Sequence, residues 1–157
     1  MYRRILVPTD GSELSNNAVE HAAALAKAVN AKLTVLTVTI PYYAYAVDPE
    51  MTVIGYDAYQ ESAAKLAAQY LEAAKQIAAA AQVPCDTLTL EHAQIYQAII
   101  DAAKDHGCDL IVMASHGRRG IAAIVLGSET AKVLTHSAIP VLVVRPPRSM
   151  SGILRGS

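Results

Sequence analysis

The residues best suited to chemistry in this chain lie between positions 113 and 130. They read Met113-Ala-Ser-His-Gly117-Arg-Arg-Gly-Ile-Ala-Ala-Ile-Val-Leu-Gly127-Ser-Glu-Thr130. The segment follows Leu110-Ile-Val-Met113, an apolar run with the composition of a buried strand, and Gly127-Ser128 opens a short helical pattern reaching to about His136. A turn after a buried strand, then a glycine and a hydroxyl at a helix start, suits phosphate. First-turn N–H groups have no intrahelical partner, and the helix dipole favours negative charge there. Gly117 and Gly127 would let the backbone approach phosphate with no Cβ in the way. The chemistry indicated is nucleotide binding.

Other candidates each carry a plainer alternative. Asp10 follows the first strand and could accept hydrogen bonds from a ribose or base, or simply close a turn before the helix at Ser12. His116 could act as a general base only with a nucleophile and an orienting partner in reach; otherwise it is a turn residue near phosphate or solvent. Arg118 and Arg119 could screen phosphate charge or be solvated. Glu129 has the wrong sign for phosphate, but in a first helical turn it complements the dipole or helps hold a divalent cation. Tyr42, Tyr43 and Tyr45 could cover a base or serve packing.

Alternating strands and helices would position these residues. Ile5–Val7 reads as a buried strand ended by Pro8-Thr-Asp-Gly11, and Ser12 is placed to cap a helix with apolar positions Leu14, Ala18, Ala22, Leu25 and Val29. Asn30 suits its stop, and Leu33 to Ile40 alternates as a second strand. Pro41 to Tyr56 reads as an irregular loop. Asp57 with Gln60 resembles a capping box opening the longest helix, whose buried stripe would be Ala63, Leu66, Tyr70, Ala74 and Ile77. Thr87–Leu90 is a third strand; Ile95, Ile99 and Ala102 mark a helix ending at Gly107; Val141–Val144 is a fifth strand. This alternation predicts an α/β fold, a three-layer sandwich with a five-stranded parallel sheet of order 3-2-1-4-5 and helices on both faces. Strands one and four then adjoin where the winding reverses, so the ligand crevice lies between Pro8-Thr9-Asp10 and Ala114–Gly117. The topology and the glycines point independently to one place.

Composition narrows the function further. The 157 residues fit one domain, expected over 1–145, with 146–157 as a flexible tail. The chain is 53% apolar with no Phe or Trp, so its core must be aliphatic and alanine-rich. A net charge of −1 supplies no global field for nucleic acid, and no run approaches the length of a membrane span. Cys85 and Cys108 match no metal or redox spacing, and nothing resembles a signal peptide, so a cytoplasmic protein is expected. A P-loop, a G-x-G-x-x-G turn, a nucleophile elbow and a paired-acid phosphoacceptor site are all absent.

The chain resembles the universal stress protein family across nearly its whole length to about Arg145. The resemblance rests on Ile5-Leu-Val-Pro-Thr-Asp-Gly-Ser12, Asp109-Leu-Ile-Val-Met113, the Ser-His-Gly turn, Leu126-Gly-Ser128 and Pro140-Val-Leu-Val-Val144. The family's nucleotide-binding branch carries G-x₂-G-x₉-G-[ST]; here Ala114, Gly117, Gly127 and Ser128 occupy those positions, so the first glycine is replaced and a methyl is expected to face the sugar or phosphates. The resemblance implies ATP as ligand, with or without Mg²⁺ or Mn²⁺. It implies that Pro8, Thr9 and Asp10 flank the adenosine, that Val38 meets the adenine through its backbone, and that Met113 and Ala114 line the ribose. Gly117, Gly127, Ser128, Glu129 and Thr130 would hold the phosphates, and Val141–Val144 would pair across a homodimer. With no P-loop lysine to place a γ-phosphate, a stress-response sensor or regulator is expected rather than an efficient enzyme. Slow hydrolysis and a nucleotide-free dimeric interaction protein remain the alternatives.

Overall fold

Ile5, Leu6 and Val7 are all fully buried because their strand runs through the middle of a sheet covered on both sides. The computed structural model describes residues 1–45, 55–117 and 126–146. The strands are β1 (Arg4–Pro8), β2 (Lys32–Thr39), β3 (Cys85–Glu91), β4 (Leu110–Ala114) and β5 (Val141–Val144). They form one parallel sheet in the expected order β3-β2-β1-β4-β5. The helices are α1 (Glu13–Val29), α2 (Tyr42–Tyr45), α3 (Tyr56–Ala80), α4 (Ile95–Asp105) and α5 (Ser128–His136).

Strand alternation divides the core into two layers. On one face Ile5, Val7, Leu33, Val35 and Val112 pack with Ala18, Ala22 and Ala26 of α1 and Ala74 and Ala78 of α3. On the other, Leu6, Leu36, Ile111 and Met113 pack with Ile99 and Ala103 of α4 and Val133 of α5. The crossovers β1–α1–β2 and β2–α3–β3 thus cover one face, and those through α4 and α5 the other. The winding reverses between β1 and β4, whose register pairs Ile5 with Leu110 and Leu6 with Ile111.

Local signals explain the ends of α1. The Ser12 side chain accepts from Ser15 N–H, an N-cap whose removal costs about 1 kcal/mol. Asn30 closes the helix in the left-handed region at φ 59°, where a short amide side chain is tolerated.

Several expectations need correction. α3 starts at Tyr56 behind Gly55, with no side-chain cap, so Asp57 lies inside the first turn and forms no capping box. Of the expected stripe Ala74 is buried and Ile77 packs against the core, but the other buried residues are Ala67, Leu71 and Ala78, and Leu66 is 44% exposed. In a helix with alanine on every side, the largest side chains do not mark the inward face. α1 likewise turns Ser15, Ala18, Val19, Ala22, Ala23 and Ala26 inward, leaving Leu14, Leu25 and Val29 half-buried. Tyr42–Tyr45 is a single helical turn rather than irregular loop, and residues 46–54 of that loop lie outside the described residues. β5, the last strand of the sheet, leaves Leu142 37% exposed. The expected tail from 147 onward is outside the described residues. None of the described helices is long and apolar enough to cross a membrane.

Candidate functional site

The site is built from the turn after β1, the end of β4 and the start of α5. Thr9 leaves β1 with its N–H donating to Leu36 O at 2.8 Å, while Thr37 Oγ1 donates to Thr9 O at 3.1 Å. The Thr9 hydroxyl points inward: it is 3.0 Å from Ser15 Oγ and accepts from Gly11 N–H at 3.2 Å. At 5% exposure, Thr9 braces the turn through its side chain. Asp10 then bends back, its Oδ1 accepting from Ser12 N–H at 2.9 Å, an Asx-type turn leading into the Ser12 cap. The turn-closing reading of Asp10 is the one observed. Oδ1 closes the turn, and Oδ2 lies against Gly117, where an added Cβ would sit 2.5 Å away.

The opposite wall comes from β4. Ser115 N–H donates to Val144 O at 3.0 Å, extending the ladder one residue past Ala114. Ala114 O accepts from Thr130 Oγ1 at 2.9 Å, and Ser115 O accepts from Gly127 N–H at 2.8 Å. These two bonds fasten the first turn of α5 onto the end of β4. They also engage two groups expected to face phosphate, the Gly127 amide and the buried Thr130 hydroxyl. Gly127 brings no side chain to cap α5, and Ser128 begins the helix exposed. The N–H groups that follow, at the start of a 9-residue helix, form its dipole-positive end.

Three side chains are placed differently from expectation. The Ala114 methyl belongs to the core layer that α1 covers, in one cluster with Val7, Val112 and Val144. His116 is not in solvent but 3% exposed, with Nδ1 3.2 Å from Ser115 Oγ. Ser115 is 1% exposed, so this hydroxyl–imidazole contact is buried. The Glu129 carboxylate turns to a neighbouring helix: Oε2 accepts from Tyr96 N–H at 2.8 Å in the first turn of α4. Glu129 also lies 3.6 Å from Lys132 Nζ.

Gly127 is glycine for a reason the motif did not suggest. A Cβ there would come within 2.9 Å of His116 Cα and 3.4 Å of Ser115 O, so the protein's own backbone fills the space.

The remaining candidates fall as follows. Pro8 ends β1 beside Leu36, and Val38 lies two residues beyond that last β1–β2 pair, on the same end of the sheet. Met113 is buried, its side chain in the α4–α5 layer. Arg118 and Arg119 lie outside the described residues. Among the described residues, no group of three or more His, Cys, Asp or Glu could hold a metal ion. Tyr42 and Tyr45 pack with Tyr56 and Tyr59 of α3, the Tyr45–Tyr59 centroids being 4.3 Å apart, and Tyr59 O–H donates to Ile40 O. Burial, with Tyr45 and Glu91 nearby, raises the Tyr59 pKa. Two contacts went unanticipated: the Tyr70 ring against Gly11 and the Tyr96 amide on Glu129. Neither leaves a sequence signal, because each joins residues on separate elements.

Comparison with known proteins agrees with this architecture. Residues 1–145 match the model of the universal stress protein family. The chain is similar to universal stress protein YxiE of Bacillus subtilis, at 34% identity over 92% of this chain and 100% of that protein. It also resembles universal stress protein UspA from Lactobacillus plantarum, with TM-score 0.76 and 28% identity, covering 92% of this chain and 98% of that one. A universal stress protein solved in complex with cAMP gives TM-score 0.65 and 29% identity over 92% of this chain and 97% of that one.

Proposed function

The chain belongs to the universal stress protein family, and we propose that it binds an adenine nucleotide, ATP in the first instance, between β1 and β4. The observation that carries this reading is the contact of Asp10 Oδ2 with the Gly117 position across the β1–β4 winding reversal, together with the first turn of α5 fastened to the end of β4 by Gly127 and Thr130. Their polarity fits a nucleotide. The Asp10 carboxylate accepts hydroxyl or amine protons and repels phosphate, so the nucleoside lies toward β1 and Val38. The amides of Ser128 and Glu129 and the Ser128 hydroxyl lie where the phosphates would be held, with Gly117 and the Gly127–Thr130 turn shaping the cradle. The relative solved with cAMP supports an adenine nucleotide as the ligand class.

The packing of Ala114 supports the same reading, since the methyl at the substituted motif position belongs to the core cluster. A Mg²⁺ or Mn²⁺ accompanying ATP would draw its ligands chiefly from the phosphates and water. The residues fit a binding protein that senses or regulates in the cytoplasm better than an enzyme, because Ser115 and His116 are buried. A homodimer through β5 is supported by that strand's open edge and by exposed Leu134 and Leu142.

The test is to purify the protein without added nucleotide, denature it and identify released nucleotides by chromatography. An adenine nucleotide in the supernatant is the expected result. If none is released and none binds on addition, the reading fails and the nucleotide-free interaction protein replaces it.

A further inference from the structure

Gly11 has φ +77°, a backbone conformation that L side chains rarely adopt, and the place where its side chain would be is already filled. A Cβ built there would overlap Cδ1 and Cε1 of Tyr70 and come within 2.8 Å of its Cγ. Tyr70 stands on α3, remote in sequence from the turn after β1, and its ring lies flat against that turn. Next to Gly11 in the chain is Asp10, whose two oxygens meet Ser12 N–H and the Gly117 position. The turn is therefore held on three sides: by the Thr9 hydroxyl beneath, by Gly117 across the crevice and by the Tyr70 ring above.

We propose that Tyr70 is a positioning residue for the ligand crevice: its ring occupies the space of the missing Gly11 side chain and holds Asp10 in the conformation that reaches Gly117. The inference rests on the adenine-nucleotide reading for its effect on binding, but not for its effect on the turn. Glycine populates positive and negative φ about equally, so the Gly11 backbone adds no preference of its own to the hydrogen bonds at Ser12 and Gly11 N–H. The ring face excludes the alternatives by occupying them. Shape carries this function, so a ring without its hydroxyl retains it, and a side chain without a flat face loses it.

Two readouts test this, one with ligand and one without. In the first, ATP is titrated into wild type, Tyr70→Phe and Tyr70→Ala, all well below their melting temperatures. Tyr70→Ala is expected to bind about tenfold more weakly and Tyr70→Phe within about twofold of wild type. In the second, amide hydrogen exchange is followed at Ser12, whose N–H is bonded to Asp10. That amide should exchange about tenfold faster in Tyr70→Ala and at the wild-type rate in Tyr70→Phe, while core amides of β1 are unchanged. Tyr70→Leu, which keeps apolar volume but not the ring face, takes the place of the alanine variant should that one not fold. Wild-type exchange at Ser12 in Tyr70→Ala or Tyr70→Leu overturns the proposal, as does a Phe variant as impaired as either. If wild type itself binds no nucleotide, the functional reading fails, and the exchange measurement still decides the role of Tyr70.

Discussion

Asp10 Oδ2 lies where a side chain on Gly117 would begin, 2.5 Å from the position of its Cβ. The two residues belong to opposite walls of the crevice, one after β1 and the other after β4, and they are 107 positions apart in sequence. The φ of Gly117 is outside the left-handed region, so this glycine answers to space and not to backbone strain. Its lack of a side chain is what leaves room for the Asp10 carboxylate.

Gly117→Ala should therefore act on Asp10 before it acts on the fold. Gly117 is exposed, so its stability cost should stay below about 1 kcal/mol. Nucleotide affinity should fall about tenfold as the carboxylate is displaced. Denaturant unfolding and calorimetric titration of the same variant separate the two effects. A large stability loss with affinity intact would contradict this assignment.

Gly127→Ala should behave in the opposite way. Its Cβ would press on His116 Cα at 2.9 Å, and main chain cannot swing aside as a side chain can. Forcing it in should cost about 1–3 kcal/mol, the range for overpacking. Urea midpoints for the two alanine variants make the comparison, with the Gly127 variant predicted to unfold well below the Gly117 one.

Glu129→Ala should destabilise α4 without weakening the ligand. The lost acceptor for Tyr96 N–H is equivalent to a helix cap, worth about 1 kcal/mol. Removing a negative charge near the phosphates cannot reduce their binding electrostatically. Reduced thermal stability with affinity equal to or better than wild type is the expected pair of results.

The thiols should be slow to react at neutral pH. Burial raises the pKa of both Cys85 and Cys108; Asp86 adds to the rise at Cys85, and a contact with Thr34 partly offsets it at Cys108. Because the folded chain holds these protons to higher pH than the unfolded chain, the associated stability is complete below the ordinary thiol pKa and is lost as pH rises past it. Asp86 has the reverse dependence. The Lys32 ammonium, 2.8 Å away, holds its carboxyl below the usual range, so stability from this pair is lost as pH falls through the lowered pKa. Both partners are well exposed, which limits that contribution to about 0.5 kcal/mol. Labelling with a thiol reagent in native buffer and in urea, and urea midpoints at acid, neutral and alkaline pH, measure these effects.

The sheet order was legible in the sequence because continuous apolar strands and alternating helices allow few right-handed arrangements. The adjacency of β1 and β4 followed from the order, and the start of α5 from Gly127-Ser128. The inward face of α3 was legible only at Ala74 and Ile77. Alanines at 63, 64, 67, 68, 73, 74 and 78 make several faces equally able to pack, and tertiary contact chose the one carrying Ala67, Leu71, Ala74 and Ala78. Nor could the motif reveal that Ala114 faces the core, that Gly127 makes room for His116, or that Glu129 caps α4. Each depends on which neighbour occupies the adjoining space, and spacing along one chain does not record that.

The most direct measurement is a calorimetric titration of the nucleotide-free protein with ATP, and in parallel with cAMP, AMP and GTP. Saturable binding of ATP at one site per chain is predicted, with GTP weaker because its base differs at the edge that β2 would meet. Absence of saturable heat with every adenine nucleotide at millimolar ligand would contradict the account.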